Sequence, residues 1–301
     1  MKTDARRVKG WLVTLCLTWC LAASMAAQGG DPVRDGQVQA QLISKHNALV
    51  PGQTVTLGLR LQMDEHWHTY WKNPGDAGLA TSIDWQFPPG YVAHEIEWPA
   101  PHYYQANGLA TYGYEGEIVL PVRIEVPADA AVGEDVVIKA TADWLMCKEI
   151  CIPGSAALSL VLPVAATADD VEPEPRWAGL FAWADQRTPR NYDDAYVHVE
   201  RQDGRRYRLT VRNAGTGIGV RDNLSVRFFP DNAGSIAMTA EQVVERSDTG
   251  VVSVSLPLDA NQQWTDRLRG VLVYERGDDT RVYRVDAEVE PKTTEPKMTE
   301  N

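Results

Sequence analysis

Residues 54–63 read Thr-Val-Thr-Leu-Gly-Leu-Arg-Leu-Gln-Met and carry an apolar side chain at every second position. A period of two residues predicts a β-strand with one buried face. The same alternation recurs over residues 118–126, 136–144 and 158–162, with no helical period between neighbouring apolar positions. The sequence therefore predicts an all-β fold around these strands.

Further strand signals at residues 38–43, 82–87 and 92–98 bring the predicted strands of this region to seven. Turn signals separate them, at Pro51-Gly52, Asn73-Pro74-Gly75, Pro88-Pro89-Gly90 and Ala131-Val132-Gly133. Many short antiparallel strands of this kind are typical of an immunoglobulin-like antiparallel sandwich, which we expect over residues 37–164.

The rest of the chain predicts a linker, a second domain and a tail. Residues 165–194 form the linker, in which residues 177–183 are expected to make one or two helical turns. Residues 195–290 contain six more strand signals and predict a second small β-sandwich domain. Residues 291–301 are polar and aperiodic, which predicts a disordered tail.

The N-terminus has the pattern of a secretory signal peptide. Basic residues between positions 2 and 9 precede a largely apolar stretch, residues 11–23, which is too short to span a bilayer. Ser24 and Ala26 offer small side chains for cleavage near Ala26. We therefore expect export to the periplasm and a mature protein that does not span a membrane.

The charge of the chain narrows the classes of partner. The formal net charge is −12 at pH 7, and loss of residues 1–26, with four basic residues and one acidic residue, lowers it to −15. No basic run follows in the mature chain, so neither a nucleic acid nor an anionic membrane is an expected partner.

Export leaves two of the four cysteines, Cys147 and Cys151, because Cys16 and Cys20 lie in the signal peptide. In an oxidising compartment this pair is expected to form a disulfide. A bridge that closes so short a loop adds little stability, which favours a redox role over a structural one. Metal binding by the two thiols is a third interpretation that the spacing leaves open.

The two cysteines flank three residues between two predicted strands, which is the length of a tight hairpin loop. Facing positions in a hairpin lie about 4.5–5.5 Å apart, a distance that a disulfide can bridge. A hairpin tip is also open to a partner protein, as thiol exchange requires. Within the loop, Lys148 would favour a thiolate and Glu149 would oppose it.

Three motifs resemble the N-terminal periplasmic domain of the DsbD family, in its ScsB-like branch. They are His-Trp-His-Thr-Tyr-Trp-Lys-Asn-Pro-Gly-Asp-Ala-Gly at residues 66–78, Gly-Tyr-Glu-Gly-Glu at residues 113–117, and residues 144–153 with the cysteine pair. The resemblance implies an immunoglobulin-like domain that exchanges thiols and disulfides without a cofactor, as in cytochrome c biogenesis or copper tolerance. Its ScsB-like members also resemble the second domain.

The resemblance further implies partners and site residues. Cys147 and Cys151 would attack and resolve, in an order that the sequence leaves open. Electrons would come from a membrane-embedded thiol reductase by way of a thioredoxin-like periplasmic protein and pass to oxidised periplasmic clients. An aromatic cap would cover the cysteines, with Tyr103, Tyr104 and Tyr112 as candidate lids and ordinary packing as the alternative for each.

The chain also departs from the family pattern. The membrane and thioredoxin-like domains of the full family protein are absent from it, so we expect electron donors encoded elsewhere. The cysteines are closer together than in the best-known DsbD sequences.

Two alternatives to thiol exchange remain. On one strand His66 and His68 would share a face, and they could join Met146 and the two thiols in a copper(I) site. Support of the neighbouring turn is the simpler interpretation of the two histidines. The other alternative is a non-catalytic adaptor, in which the disulfide is structural and both domains bind proteins.

Overall fold

The computed structural model describes residues 30–106, 108–191, 196–212, 225–248, 250–277 and 279–292. The expected signal peptide lies outside these residues, as does the predicted tail from residue 293 onward. Within the described part of the chain, no helix is long and apolar enough to cross a membrane.

The first domain is an antiparallel sandwich, as the sequence predicts. Its strands are β1 (Val33–Asp35), β2 (Val38–Ser44), β3 (Thr54–Met63), β4 (His68–Gly75), β5 (Ser82–Gln86), β6 (Val92–Ile96), β7 (His102–Ala106), β8 (Leu109–Glu115), β9 (Glu117–Glu125), β10 (Asp135–Cys147) and β11 (Cys151–Pro163). One sheet has the order β1-β2-β3-β9-β6. The other has the order β11-β10-β4-β8-β7, and β5 pairs with β10.

Alternating side chains from both sheets fill the core of this domain. On β3 and β9 they include Leu57, Leu59, Leu120 and Val122, all fully buried. On β10 and β11 they include Ile138, Ala142, Trp144, Leu158 and Leu160. Strands β10 and β11 bury about one side chain in two, so their period could be read directly from the sequence. Strands β3 and β9 instead bury residues 57–61 and 118–122 consecutively, because their outer face is covered as well.

Strand β4 differs from the prediction. Asn73, Pro74 and Gly75 were expected to form a turn, but they end β4. The pairing of β4 with β8 shifts its register between Tyr70 and Gly75, so the turn signal marks an irregularity within the ladder.

The linker contains a helix, α1 (Ala178–Arg187), of ten residues, which is longer than the expected one or two turns. It packs Phe181 and Ala184, together with Trp177, against Ile43 and Val119 on the outer face of the first sheet. This contact fixes the linker against the first domain.

The second domain is also built from β-strands. They are β12 (Tyr196–Gln202), β13 (Arg206–Arg212), β14 (Ser225–Pro230), β15 (Val243–Arg246), β16 (Val251–Pro257), β17 (Arg267–Arg276) and β18 (Asp279–Glu290). Their order is β14-β17-β18-β12-β13-β16-β15. A short parallel pairing at Val199 and Glu200 joins two otherwise antiparallel halves.

Candidate redox site

The cysteines close a long regular hairpin. Every residue of β10 pairs with a residue of β11, and Cys147 opposite Cys151 is the last pair before the loop. The two residues form a disulfide, and their Cα atoms lie 4.2 Å apart. The hairpin predicted from the spacing is thus confirmed, and thirteen residue pairs hold its two strands together up to the tip.

The two cysteines differ in their exposure. Cys147 is only 3% exposed, whereas Cys151 is exposed. The side chains of the loop between them, Lys148, Glu149 and Ile150, are exposed as well. A partner that approaches the hairpin tip therefore reaches Cys151 more readily than Cys147.

Strand β4 supplies the polar environment of the disulfide. Tyr70 is 2% exposed, and its Oη lies 3.5 Å from Sγ of Cys151. Because a disulfide sulfur has no hydrogen, the hydroxyl is the donor of this contact. Burial raises the pKa of Tyr70, which keeps its proton in place at neutral pH.

A histidine on the same strand lies beside Cys147. His68 is the cross-strand partner of Cys147 in the pairing of β4 with β10. Its ring meets Tyr70 edge-on at 5.2 Å and stacks on Tyr104 at 5.6 Å. Burial lowers the pKa of His68 below 6.5, so the imidazole is mostly neutral at pH 7.

The three tyrosines proposed as lids occupy three different environments. Tyr104 stacks on His68 beside the disulfide, and burial raises the pKa of its hydroxyl. Tyr103 packs against Tyr112 and donates its hydroxyl to Oε1 of Gln105 at 2.9 Å. Tyr112 is fully buried. Of the three, Tyr104 is the one that contacts His68, the cross-strand partner of Cys147.

The residues of the copper alternative are not brought together. His66 lies before β4 with φ +69° and faces Glu65 at 3.4 Å, so it does not share a strand face with His68 as expected. Met146 is fully buried, and its Sδ accepts a hydrogen bond from the Gln37 amide at 3.4 Å. Within the described ranges, no group of three or more His, Cys, Asp or Glu side chains is arranged to hold a metal ion.

Sequence reasoning missed the contact of Tyr70 with the sulfur. The only sequence signal is its spacing of two residues from His68, which puts both side chains on one face of β4. This spacing predicts a contact with the cysteines only when β4 is known to lie beside the cysteine hairpin.

Comparison with known proteins agrees with this geometry. The family model for the "Thiol:disulfide interchange protein DsbD, N-terminal" matches residues 39–163. The solved N-terminal periplasmic domain of ScsB from Proteus mirabilis is 17% identical, with a TM-score of 0.60. That alignment covers 87% of this chain and 99% of the ScsB chain, so it extends into the second domain.

Other solved structures align less closely. The N-terminal Ig1-2 module of the Drosophila receptor protein tyrosine phosphatase DLAR is 12% identical, with a TM-score of 0.20 over 88% of this chain and 99% of that one. None of the curated proteins compared with the chain matches it. At 17% identity and a TM-score of 0.60, the ScsB comparison shows a shared fold.

Proposed function

Because residues 39–163 form a DsbD N-terminal-like domain, we propose that the chain exchanges thiols and disulfides through Cys147 and Cys151. The observation that carries the proposal is a disulfide at a hairpin tip with one exposed and one buried cysteine. Such a pair gives a partner access to one sulfur while the surrounding protein shields the other.

The exchange takes place in two steps. A thiolate of a reduced partner attacks Sγ of Cys151, a mixed disulfide forms, and Cys147 leaves as a thiolate that takes up a proton. A second thiolate of the partner then attacks the mixed disulfide and releases Cys151. Two electrons have moved, so the partner leaves as a disulfide and the chain holds two thiols.

The reverse steps reduce a client. The Cys151 thiolate attacks the disulfide of the client, and the Cys147 thiolate resolves the mixed disulfide. Tyr70 supports both directions, because its hydroxyl donates toward the sulfur that carries negative charge when Cys151 is reduced. In this assignment Cys151 attacks and Cys147 resolves.

The proposed partners follow from the exchange chemistry and the expected export. A thioredoxin-like periplasmic protein, reduced by a membrane-embedded thiol reductase, would supply the electrons. Oxidised periplasmic proteins would receive them. The exposed tip of the hairpin is where these partners would meet the disulfide.

Thiol trapping in the native protein tests the proposal. The chain would be treated with dithiothreitol without denaturant and then alkylated, and the result compared with that for the unfolded protein. We expect both thiols to become trappable in the native state, whereas a Cys147→Ala/Cys151→Ala variant with the same circular dichroism spectrum gives no product. A disulfide that is reduced only after unfolding would contradict exchange and favour the adaptor interpretation.

A further inference from the structure

The edge strand β14 of the second domain packs against strands that surround the disulfide. Phe229 meets the ring of Trp71 at 6.4 Å and that of Tyr112 at 5.1 Å, both edge-on. The guanidinium carbon of Arg227 lies 3.9 Å from the centre of the Tyr103 ring. Aromatic and cation–π contacts of this kind are directional, so they fix the position of the rings as well as burying them.

Polar contacts reinforce this interface along β4. The Nδ2 of Asn73 donates a buried hydrogen bond of 2.7 Å to the Pro230 carbonyl. Nζ of Lys72 pairs with Oδ1 of Asp231 at 2.7 Å. Both residues follow Trp71 directly, so three consecutive positions of β4 contact the second domain.

A buried arginine at the end of α1 fixes the start of β7. Arg187 is 5% exposed, and its Nε donates to the Ala100 carbonyl at 3.0 Å. Its Nη2 donates to Oε1 of Glu275 at 2.9 Å, on a strand of the second domain. The chain that leads into β7 is therefore tied to the second domain as well.

Strand β7 depends on these contacts because it lies at the edge of its sheet. It is hydrogen-bonded only to β8 among the described strands. Adjacent side chains of a strand point to opposite faces. Tyr103 thus meets Arg227 on one face, while Tyr104 stacks on His68, the neighbour of Cys147, on the other.

We propose that the second domain positions the cap of the redox site, with Arg227 and Phe229 as positioning residues that hold β7 so that Tyr104 stays on His68. The inference rests on the exchange function proposed above. Neither residue touches the sulfurs, and both act through β7 and Tyr104. Weaker contact with β14 lets the edge strand move, which uncovers the buried Cys147 and opens the disulfide further to attacking thiolates.

The rate of disulfide reduction by dithiothreitol in the native, full-length chain tests this inference. Arg227→Ala is expected to speed reduction about fivefold, equivalent to about 1 kcal/mol, the scale of one cation–π contact. Arg227→Lys, which keeps a cation, restores part of the slower rate. The matched control is Arg208→Ala, which removes an exposed arginine paired with Glu245 elsewhere in the second domain.

A double-variant comparison separates positioning from general destabilisation. In a Tyr104→Ala background, which itself reduces fast, Arg227→Ala should add no further increase if it acts through Tyr104. The equilibrium reduction potential should stay constant, because a displaced cap speeds both directions. Equal rates in Arg227→Ala, Phe229→Ala and the parent, or full additivity with Tyr104→Ala, would overturn the inference. A parent disulfide that resists dithiothreitol would instead overturn the exchange function itself.

Discussion

Replacement of Tyr70 by Phe probes the tyrosine hydroxyl that contacts Sγ of Cys151. The change removes Oη, which lies 3.5 Å from Sγ of Cys151, and keeps the buried ring. The ring should remain in place, because a Cβ added at Gly78 would lie only 2.4 Å from it, which shows how closely the backbone packs there. The variant therefore tests the hydroxyl and not the packing.

The size of the effect follows from the geometry. A hydrogen bond to a charged acceptor contributes about 1.5–3 kcal/mol, and we take the lower end because the contact is long and Cys151 is exposed. This corresponds to a rise of about one unit in the pKa of the Cys151 thiol. The thiolate fraction falls about tenfold below the pKa, while the nucleophilicity of each thiolate rises about threefold, so attack at neutral pH slows about threefold.

The assay is the pH dependence of alkylation of Cys151 in a Cys147→Ser background, with and without Tyr70→Phe. Tyr114→Phe is the control, because it removes a buried hydroxyl that donates to the Pro99 carbonyl at 2.6 Å. The control should lower stability and leave the thiol pKa unchanged. If the thiol pKa is the same with Tyr70 and with Phe at this position, the reasoning about the sulfur environment is wrong.

Two further predictions follow from the site. Cys147→Ser, which keeps the exposed Cys151, should form a mixed disulfide with glutathione disulfide much faster than Cys151→Ser, which keeps Cys147 at 3% exposure; mass spectrometry measures both reactions. A faster reaction of Cys151→Ser would contradict the assignment of Cys151 as the attacker. Burial lowers the pKa of the His68 imidazole in the folded protein, so the imidazole of the unfolded chain binds a proton at a higher pH. The free energy of unfolding should therefore fall as pH drops through about 6.5, the pKa of histidine in the unfolded chain. His68→Gln should therefore lose less stability than the parent between about pH 7.5 and about pH 5.5 in urea unfolding, and identical pH profiles would refute this role of the imidazole.

The redox hairpin could be predicted from the sequence because local rules determine it. Each of its strands buries every second side chain, and a loop of three residues fixes the register, so Cys147 and Cys151 must face each other. The prediction needed no knowledge of which other strands lie nearby.

The surroundings of the hairpin could not be predicted in this way. Thr69, Tyr70 and Trp71 are consecutive and all buried, since β4 lies inside its sheet and also contacts the second domain. A strand covered on both faces has no period of two. Strand β8 buries Tyr112, Gly113 and Tyr114 consecutively for the same reason.

The contacts of the second domain with the first could not be predicted from the sequence either. The contact of the second domain with β7 joins Arg227 to Tyr103 across more than a hundred residues of sequence. No local pattern encodes such a pairing, because it depends on how two separately folded cores meet. The same limit applied to His68, whose partner Cys147 became visible only when β4 and β10 were seen as neighbours.

The reduction potential of the Cys147–Cys151 pair tests the central claim most directly. The purified chain would be equilibrated in glutathione or dithiothreitol buffers of defined potential, and its free thiols trapped and counted. An exchange-active pair should give a value between about −270 and −120 mV. A value below about −300 mV is typical of structural disulfides and would contradict the proposed thiol–disulfide exchange.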